Sequence, residues 1–420
     1  PLRGIRLSLC PSLSDHYIVK VTNKKGALKN KHIVLTSGNY HSFYDGETIQ
    51  INIKKNNWSQ LFYNQYNLEA ESQKKITVEF LLQSHKFILR IIKNIDVLLK
   101  VGGELDLVLL DNRSHSKSYR SISQIKHAIS ISTNGRYICS SFKSDGLVAT
   151  LSYLKKSATL LSNDLVNRWS FGIVSNGVKN NWVLEQIKSI LAQNIDDFEI
   201  IICGPSPFEG GVHFNDRVKI INDFKLEEDI RAPISHKKNL IIKEAQYNNL
   251  CIMHDRIILP KSWFNNLKKY GNYFDILSLR IVNQNNERIL VDWMTFCSPL
   301  ASLYRRNRAL MYDEWDDEVI VPGAVFIAKK NLIEGFMFDE RLYWDEMEDI
   351  YFSKIAHLRG LLIDIDCGNH FITKEVRQFS QSSGWVNLKI FSIILWIKSV
   401  VLISLRLKRS KKRYYKSYEL

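Results

Sequence analysis

The sequence predicts an α/β protein: a larger domain on a mainly parallel sheet over residues 168–385, a smaller α/β domain over 1–160 before it, and an amphipathic basic helix over 386–420. Three observations carry this. The chain has 420 residues, more than one ordinary hydrophobic core serves. From Trp169 onward short apolar runs alternate with stretches of helical periodicity, the pattern of strands covered by helices on both faces. Earlier, residues 77–100 place apolar side chains at helical spacing and lead through a turn at Gly102-Gly103 into Leu105-Asp-Leu-Val-Leu-Leu110, an apolar strand.

Taken in order, residues 171–174 read as a strand, 182–192 as a helix, 198–203 as a buried strand and 218–221 as a short one. A helix over 237–247 and a strand over 250–253 follow, and that strand ends in His254-Asp255-Arg256. A further strand is expected over 288–291. Ligands on such sheets bind beyond the carboxyl ends of the strands, which places Asn176, the Gly204-Pro205 loop and Asp255 together.

Lys and Arg number 58 against 43 Asp and Glu, and the formal charge of +15 favours an anionic partner such as a nucleotide diphosphate, anionic lipid or nucleic acid. The six cysteines are scattered, without the close pairs of a zinc site or the density of a disulfide scaffold. A reducing cytoplasm is expected, and Pro1-Leu-Arg-Gly4 lacks a signal-peptide core. The apolar stretch 388–407 is interrupted by Lys389, Lys398 and Arg406 and runs into Lys408-Arg-Ser-Lys-Lys-Arg413. A charge in mid-stretch argues for a helix lying on an anionic membrane surface, at the cytoplasmic face, rather than crossing it. The other reading of this segment is a helix packed on its own domain.

The residues richest in chemistry are His254-Asp255-Arg256 and, some ninety positions on, Trp344-Asp-Glu-Met-Glu-Asp349. A carboxylate at a strand end can hold a divalent cation against a diphosphate, and a second one across a cleft can deprotonate a hydroxyl. Asp292-Trp293 could shape a sugar pocket, an aromatic face beside a hydroxyl-accepting carboxylate, or be a core Trp beside a surface Asp. Trp344 likewise either packs in the core or stacks on an acceptor.

These residues resemble the GT-A glycosyltransferases of the large family 2 type. The resemblance runs from Phe171-Gly-Ile-Val-Ser-Asn176 through Lys238-Asn239, Ala245 and Cys251-Ile-Met-His-Asp-Arg256, then Val321-Pro-Gly-Ala-Val-Phe326, Phe338-Asp-Glu340, 344–352 and Arg359-Gly360. It implies inverting transfer from a nucleotide-diphosphate sugar to a glycan or lipid-linked saccharide, with Mn²⁺ or Mg²⁺ on Asp255 and a further ligand at His370. It also implies a base at Asp349 or Glu348, and donor contacts at Asn176, Asp223, Lys238 and Asn239. The chain departs from the pattern where His254 and Arg256 flank Asp255, and Arg256 can itself neutralise part of a diphosphate.

Leu98-Leu-Lys-Val-Gly-Gly-Glu-Leu105 and the strand after it resemble the late part of class I S-adenosylmethionine methyltransferases. Residues 30–60 contain no G-x-G for close backbone approach to that cofactor, so a cofactor-less supporting domain is expected, with methyl transfer the runner-up. A non-catalytic basic module on nucleic acid is the third class. Neither a stacking-aromatic motif nor a basic recognition helix accompanies the charge, and no nucleic acid is expected.

Overall fold

The computed structural model describes residues 32–36, 48–52, 70–79, 81–84, 88–111, 120–160, 164–208, 216–222, 233–288, 292–295, 308–310, 312, 318–343 and 346–374. Asp223, Trp344 and the segment 386–420, on which some of the expectations fall, lie outside the described residues. No helix among the described residues is long and apolar enough to cross a membrane.

The first sheet has the order β2-β1-β3-β4-β6-β5. Strands β1 (His32–Thr36), β2 (Thr48–Asn52), β3 (Gln73–Glu79) and β4 (Leu99–Leu110) are parallel. β5 (Tyr137–Ser144) and β6 (Val148–Lys155) form an antiparallel hairpin whose second strand pairs with β4. Helices α1 (Leu81–Ser84) and α2 (Ile88–Leu98) join β3 to β4, and α3 (Ile122–Ser132) joins β4 to the hairpin. Of the span 77–100 expected to be helical, Leu81–Ser84 and Ile88–Leu98 are helix, while its two ends belong to β3 and β4. Gly102-Gly103 is no free turn. Gln73 pairs with Leu99 and Lys75 with Glu104, so the glycines bulge out of a continuous strand, with Gly102 at φ +76°.

The second sheet has the order β11-β17-β12-β16-β10-β7-β8-β9. β7 (Arg168–Val174), β8 (Asp197–Cys203), β9 (Val218–Ile221) and β10 (Asn249–His254) are parallel, linked by α4 (Asn180–Leu191) and α5 (Ile234–Glu244). Every residue of β10 is buried, which is why it reads as an unbroken apolar run. α5 begins and ends three residues before the expected helix, because Ile234, Lys237 and Lys238 are also drawn into its buried face. Beyond β11 (Ile257–Ile258) and α6 (Trp263–Tyr270), β12 (Ile276–Val282) runs parallel to β17 (Ile363–Thr373), with β16 (Val325–Lys329) antiparallel between β12 and β10. A small sheet of β13 (Met294–Thr295), β14 (Arg308–Ala309) and β15 (Val319–Ile320) lies beside it, with α7 (Lys330–Ile333) and α8 (Glu348–Leu358) completing the layer. Of the strand expected over 288–291, Arg288 forms only a single bridge to Val282, and 289–291 lie outside the described residues.

One face of the second sheet packs an aromatic core in which Trp263 meets Trp169 edge-on at 5.4 Å. The other face shares its core with the first sheet, since Ile91, Ile95 and Ile129 lie in the same apolar cluster as Ile276, Ile363 and Phe352. Across this seam Arg90 of α2 makes a two-pronged bond to Asp364 of β17, at 2.7 and 3.0 Å, with both side chains buried. Lys93 reaches Asp275 at 2.7 Å one turn further on.

A buried pair whose partners are both desolvated is costly to break on one side. We expect Asp364→Ala to lose about 3–5 kcal/mol of stability, and the double variant Arg90→Leu/Asp364→Leu to lose much less. Urea denaturation of the full chain checks both; equal losses in the two variants would refute the assignment.

Candidate functional site

Three parallel strands end side by side and build one wall. The Ser175 N–H after β7 donates to the Cys203 carbonyl at 3.1 Å, and the Asp255 N–H after β10 donates to the Val174 carbonyl at 3.2 Å. The loop after β8 presses against the loop after β7 through Gly204, where a Cβ would lie 2.2 Å from the Ser175 carbonyl oxygen. Asn176 is exposed on this edge, its Oδ1 accepting the Val178 N–H at 3.1 Å. Asp255 is buried at the end of β10. Lys237, in the first turn of α5, donates to the Ser175 carbonyl at 2.6 Å. Burial pushes its ammonium pKa down, while Cys203 and Asp255 act to hold it up.

The start of α8 adjoins the end of β10, since Asp349 accepts the Gly323 N–H and the next residue, Ala324, accepts the His254 N–H at 2.9 Å. The cap residue of α8, Met347, sits at φ +62°, so the chain enters the helix abruptly and presents Glu348 and Asp349 together. Asp349 accepts the Gly323 N–H at 3.0 Å through Oδ2 and the Ile350 N–H at 2.8 Å through Oδ1. Ser353, one turn on, donates to the Asp349 carbonyl and accepts the Val321 N–H, which locks the 321–323 segment onto the helix. Gly323 is required by this contact, for a Cβ there would stand 2.9 Å from Asp349 Oδ2 and 3.1 Å from Glu348 Oε1. Burial, then the adjacent Glu348 charge, pushes the Asp349 carboxyl up to about 6, against the pull of Lys238. The site thus offers a proton acceptor that titrates close to neutrality, a few ångströms from a second carboxylate.

Several expected residues turn out to do other work. Lys238 does not face a ligand: it is fully buried and donates to Glu348 Oε1 at 3.1 Å. Asn239 spends its whole amide on the loop after α7, bonding the Phe338 N–H, the Phe338 carbonyl and Glu340 at 2.8–2.9 Å. Trp293 is fully buried in the core and has no face for a sugar. Asp292 is equally buried and accepts from the Ile281 N–H, Arg288 and Tyr312, a structural knot under the small sheet. Their sequence signal misled because a polar residue bonded inside a core looks like one displayed in a cleft. His370 is half-buried opposite Arg280 on β12, and burial with that cation lowers its pKa. The Lys374 N–H, just past β17, reaches the Arg256 carbonyl, so the end of β17 lies alongside Asp255-Arg256. Among the described residues no three His, Cys, Asp or Glu side chains cluster as metal ligands do.

Three residues were not singled out from sequence. Gly323 sat in a quoted motif, Val321-Pro-Gly-Ala, without a role. Lys237 was hidden beside Lys238, although neighbours on a helix point about 100° apart. Asp366 is buried on β17 with Oδ2 unbonded, and burial pushes it up to about 6.

No protein-family model and no curated protein sequence matches the chain. Among solved structures it is similar to S. aureus TarS 1-349 in complex with UDP-GlcNAc, at 13% identity and TM-score 0.35, covering 52% of this chain and 61% of that one. It is similar to S. aureus TarS at 15% identity and TM-score 0.34, covering 49% and 36%. It is also similar to the mannosyltransferase PcManGT from Pyrobaculum calidifontis in complex with GDP-Man and Mn²⁺, at 13% identity and TM-score 0.35, covering 52% and 59%. The chain spans less than two thirds of the length of each.

The raised carboxyls have a consequence for stability. A carboxyl whose pKa is higher folded than unfolded binds its proton more tightly when folded, so its contribution is fullest at low pH and falls as pH rises through the folded value. We expect Asp349→Asn and Asp366→Asn each to gain stability relative to the parent as pH rises from about 4, the unfolded carboxyl value, to about 6, with little further change above about 7. Thermal unfolding at stepped pH checks this; a constant difference across the range contradicts the raised values.

Proposed function

We propose that the chain is an inverting glycosyltransferase, moving a sugar from a nucleoside-diphosphate donor to a hydroxyl of a glycan or lipid-linked acceptor. The observation that carries the reading is Asp349, a carboxylate anchored to the 321–323 segment beside the end of β10 and held near neutrality. A base must be ionised at working pH yet still bind a proton well, and a pKa of about 6 meets both needs. The order of motifs from Phe171 to Gly360 supports the same reading.

The donor lies along the edge formed by Ser175, Asn176, Cys203 and Asp255, where Lys237 and Arg256 contribute positive charge toward a diphosphate. Asp349 takes the proton of the acceptor hydroxyl as its oxygen bonds the anomeric carbon. On the opposite face the bond from that carbon to the phosphate oxygen breaks, and the nucleoside diphosphate leaves with the electron pair. One displacement inverts the configuration.

The resemblance calls for Mn²⁺ or Mg²⁺ on Asp255. The described donors do not fit a complete cation site, since Asp255 lies in the field of a buried ammonium and no cluster of three ligands accompanies it. No step above is routed through a metal. The segment 386–420, by its apolar stretch and basic run, would hold the enzyme at an anionic cytoplasmic membrane surface beside a lipid-linked acceptor.

Asp349→Asn is expected to lower transfer on the order of 10²–10⁴-fold while leaving the thermal shift given by UDP- and GDP-sugars unchanged. The parent's rate should rise with pH through about 6, as the carboxyl ionises. Full activity in Asp349→Asn places the base elsewhere; absence of any thermal shift across the donor panel sinks the proposed function itself.

A further inference from the structure

We infer that Lys238 is the positioning residue of the acidic pair: hydrogen-bonded to Glu348, it holds that carboxylate in place and leaves Asp349 as the one that meets an acceptor hydroxyl. The inference rests on the reading of Asp349 as base and adds how two adjacent carboxylates come to have different roles.

Geometry carries it. Glu348 Oε1 and Asp349 Oδ2 both lie close to the point where a Gly323 Cβ would stand, at 3.1 and 2.9 Å, so the two carboxylates share one small space. Two like charges this close do not ionise independently. Lys238 reaches only one of them with a hydrogen bond: its Nζ is 3.1 Å from Glu348 Oε1, while Asp349 is bound by the N–H groups of Gly323 and Ile350. The asymmetry is built in by packing. The Lys238 ammonium lies 4.7 Å above the Phe338 ring, which stacks on Phe352 of α8 at 4.3 Å, and Asn239 fixes Phe338 by its backbone. Adjacent residues of α5 thus build the apolar bed and place a cation on it. In such surroundings an ion pair is stronger than in water, and the hydrogen bond goes to Glu348.

The charged groups that bear on Asp349 are Glu348 from its own helix, which raises its pKa, and Lys238 from α5, which lowers it. The loop before β16 contributes only the Gly323 N–H. Removing the Lys238 charge therefore leaves two carboxylates sharing the space without a cation, and Asp349 must hold its proton to higher pH. Removing the Glu348 charge does the reverse.

The test follows Asp349 directly, in the full chain carrying ¹³Cγ-labelled aspartate, with its signal assigned by loss in Asp349→Asn. Lys238→Met should raise the Asp349 midpoint by about one pH unit or more, the scale on which a neighbouring opposite charge acts. Lys238→Arg should restore the parent midpoint, and Glu348→Gln should lower it. The acid limb of the transfer rate, measured with a panel of UDP- and GDP-sugars, should move in parallel in each variant, which a merely structural lysine would not produce. A midpoint that stays put in folded Lys238→Met overturns the inference. If that variant does not fold, Glu348→Gln decides, and an unmoved or raised midpoint there overturns it equally. Because the titration needs no substrate, its failure is distinct from failure of the functional reading, which full transfer by Asp349→Asn would bring down.

Discussion

Where the chain turns from Val321 toward β16, an N–H meets a carboxylate at 3.0 Å in a space that admits no side chain. The Gly323–Asp349 contact ties β16, a central strand, to the first turn of α8, and the rest of the cleft is arranged around it. Ser353 repeats the tie one turn later, Lys238 braces the neighbouring acid, and the α8 ring Phe352 packs into the layer that Asn239 organises. A helix start usually welcomes acids because its N–H groups are unpaired. Here the acids are bonded outside the helix, the buried Glu348 to Lys238 and Asp349 to the loop before β16, so the helix end is tied to the neighbouring elements.

The same contact explains why Asp349 differs chemically from an ordinary surface aspartate. Two N–H bonds favour its charged form, yet burial and Glu348 outweigh them, and the carboxyl settles at about 6. Sequence alone weighs none of these terms, since each depends on what other segments bring close. Lys238 is 110 residues from Glu348 along the chain.

What could be read from the sequence was what local pattern controls. The fully buried β10 announced itself as an apolar run ending in Asp255, and α5 began within three residues of where its spacing placed it. The acidic pair was picked out for its chemistry, and the structure brings its two carboxylates into one small space beside Gly323. Lys238, Asn239, Asp292 and Trp293 are buried, which sequence could not show, because burial depends on what other segments bring close. The segment 77–100 is helical over 81–84 and 88–98, as its spacing indicated, and only its ends, which join β3 and β4, are strand.

The seam between the two sheets bears on how this chain can be handled. Ile363 and Ile365 of β17 pack into the cluster that holds Ile91 and Ile129, and Asp364 between them is matched to Arg90. β17 also carries the bulge that sets Arg280 against His370, and its end adjoins Arg256. A strand that reports on both halves makes them poor interchangeable parts. Grafting the second half onto a foreign partner would bare an apolar strip and a lone buried carboxylate, and the disturbance would reach the cleft through β17 itself. Recombination between distant relatives would therefore have to carry α2 and β17 together.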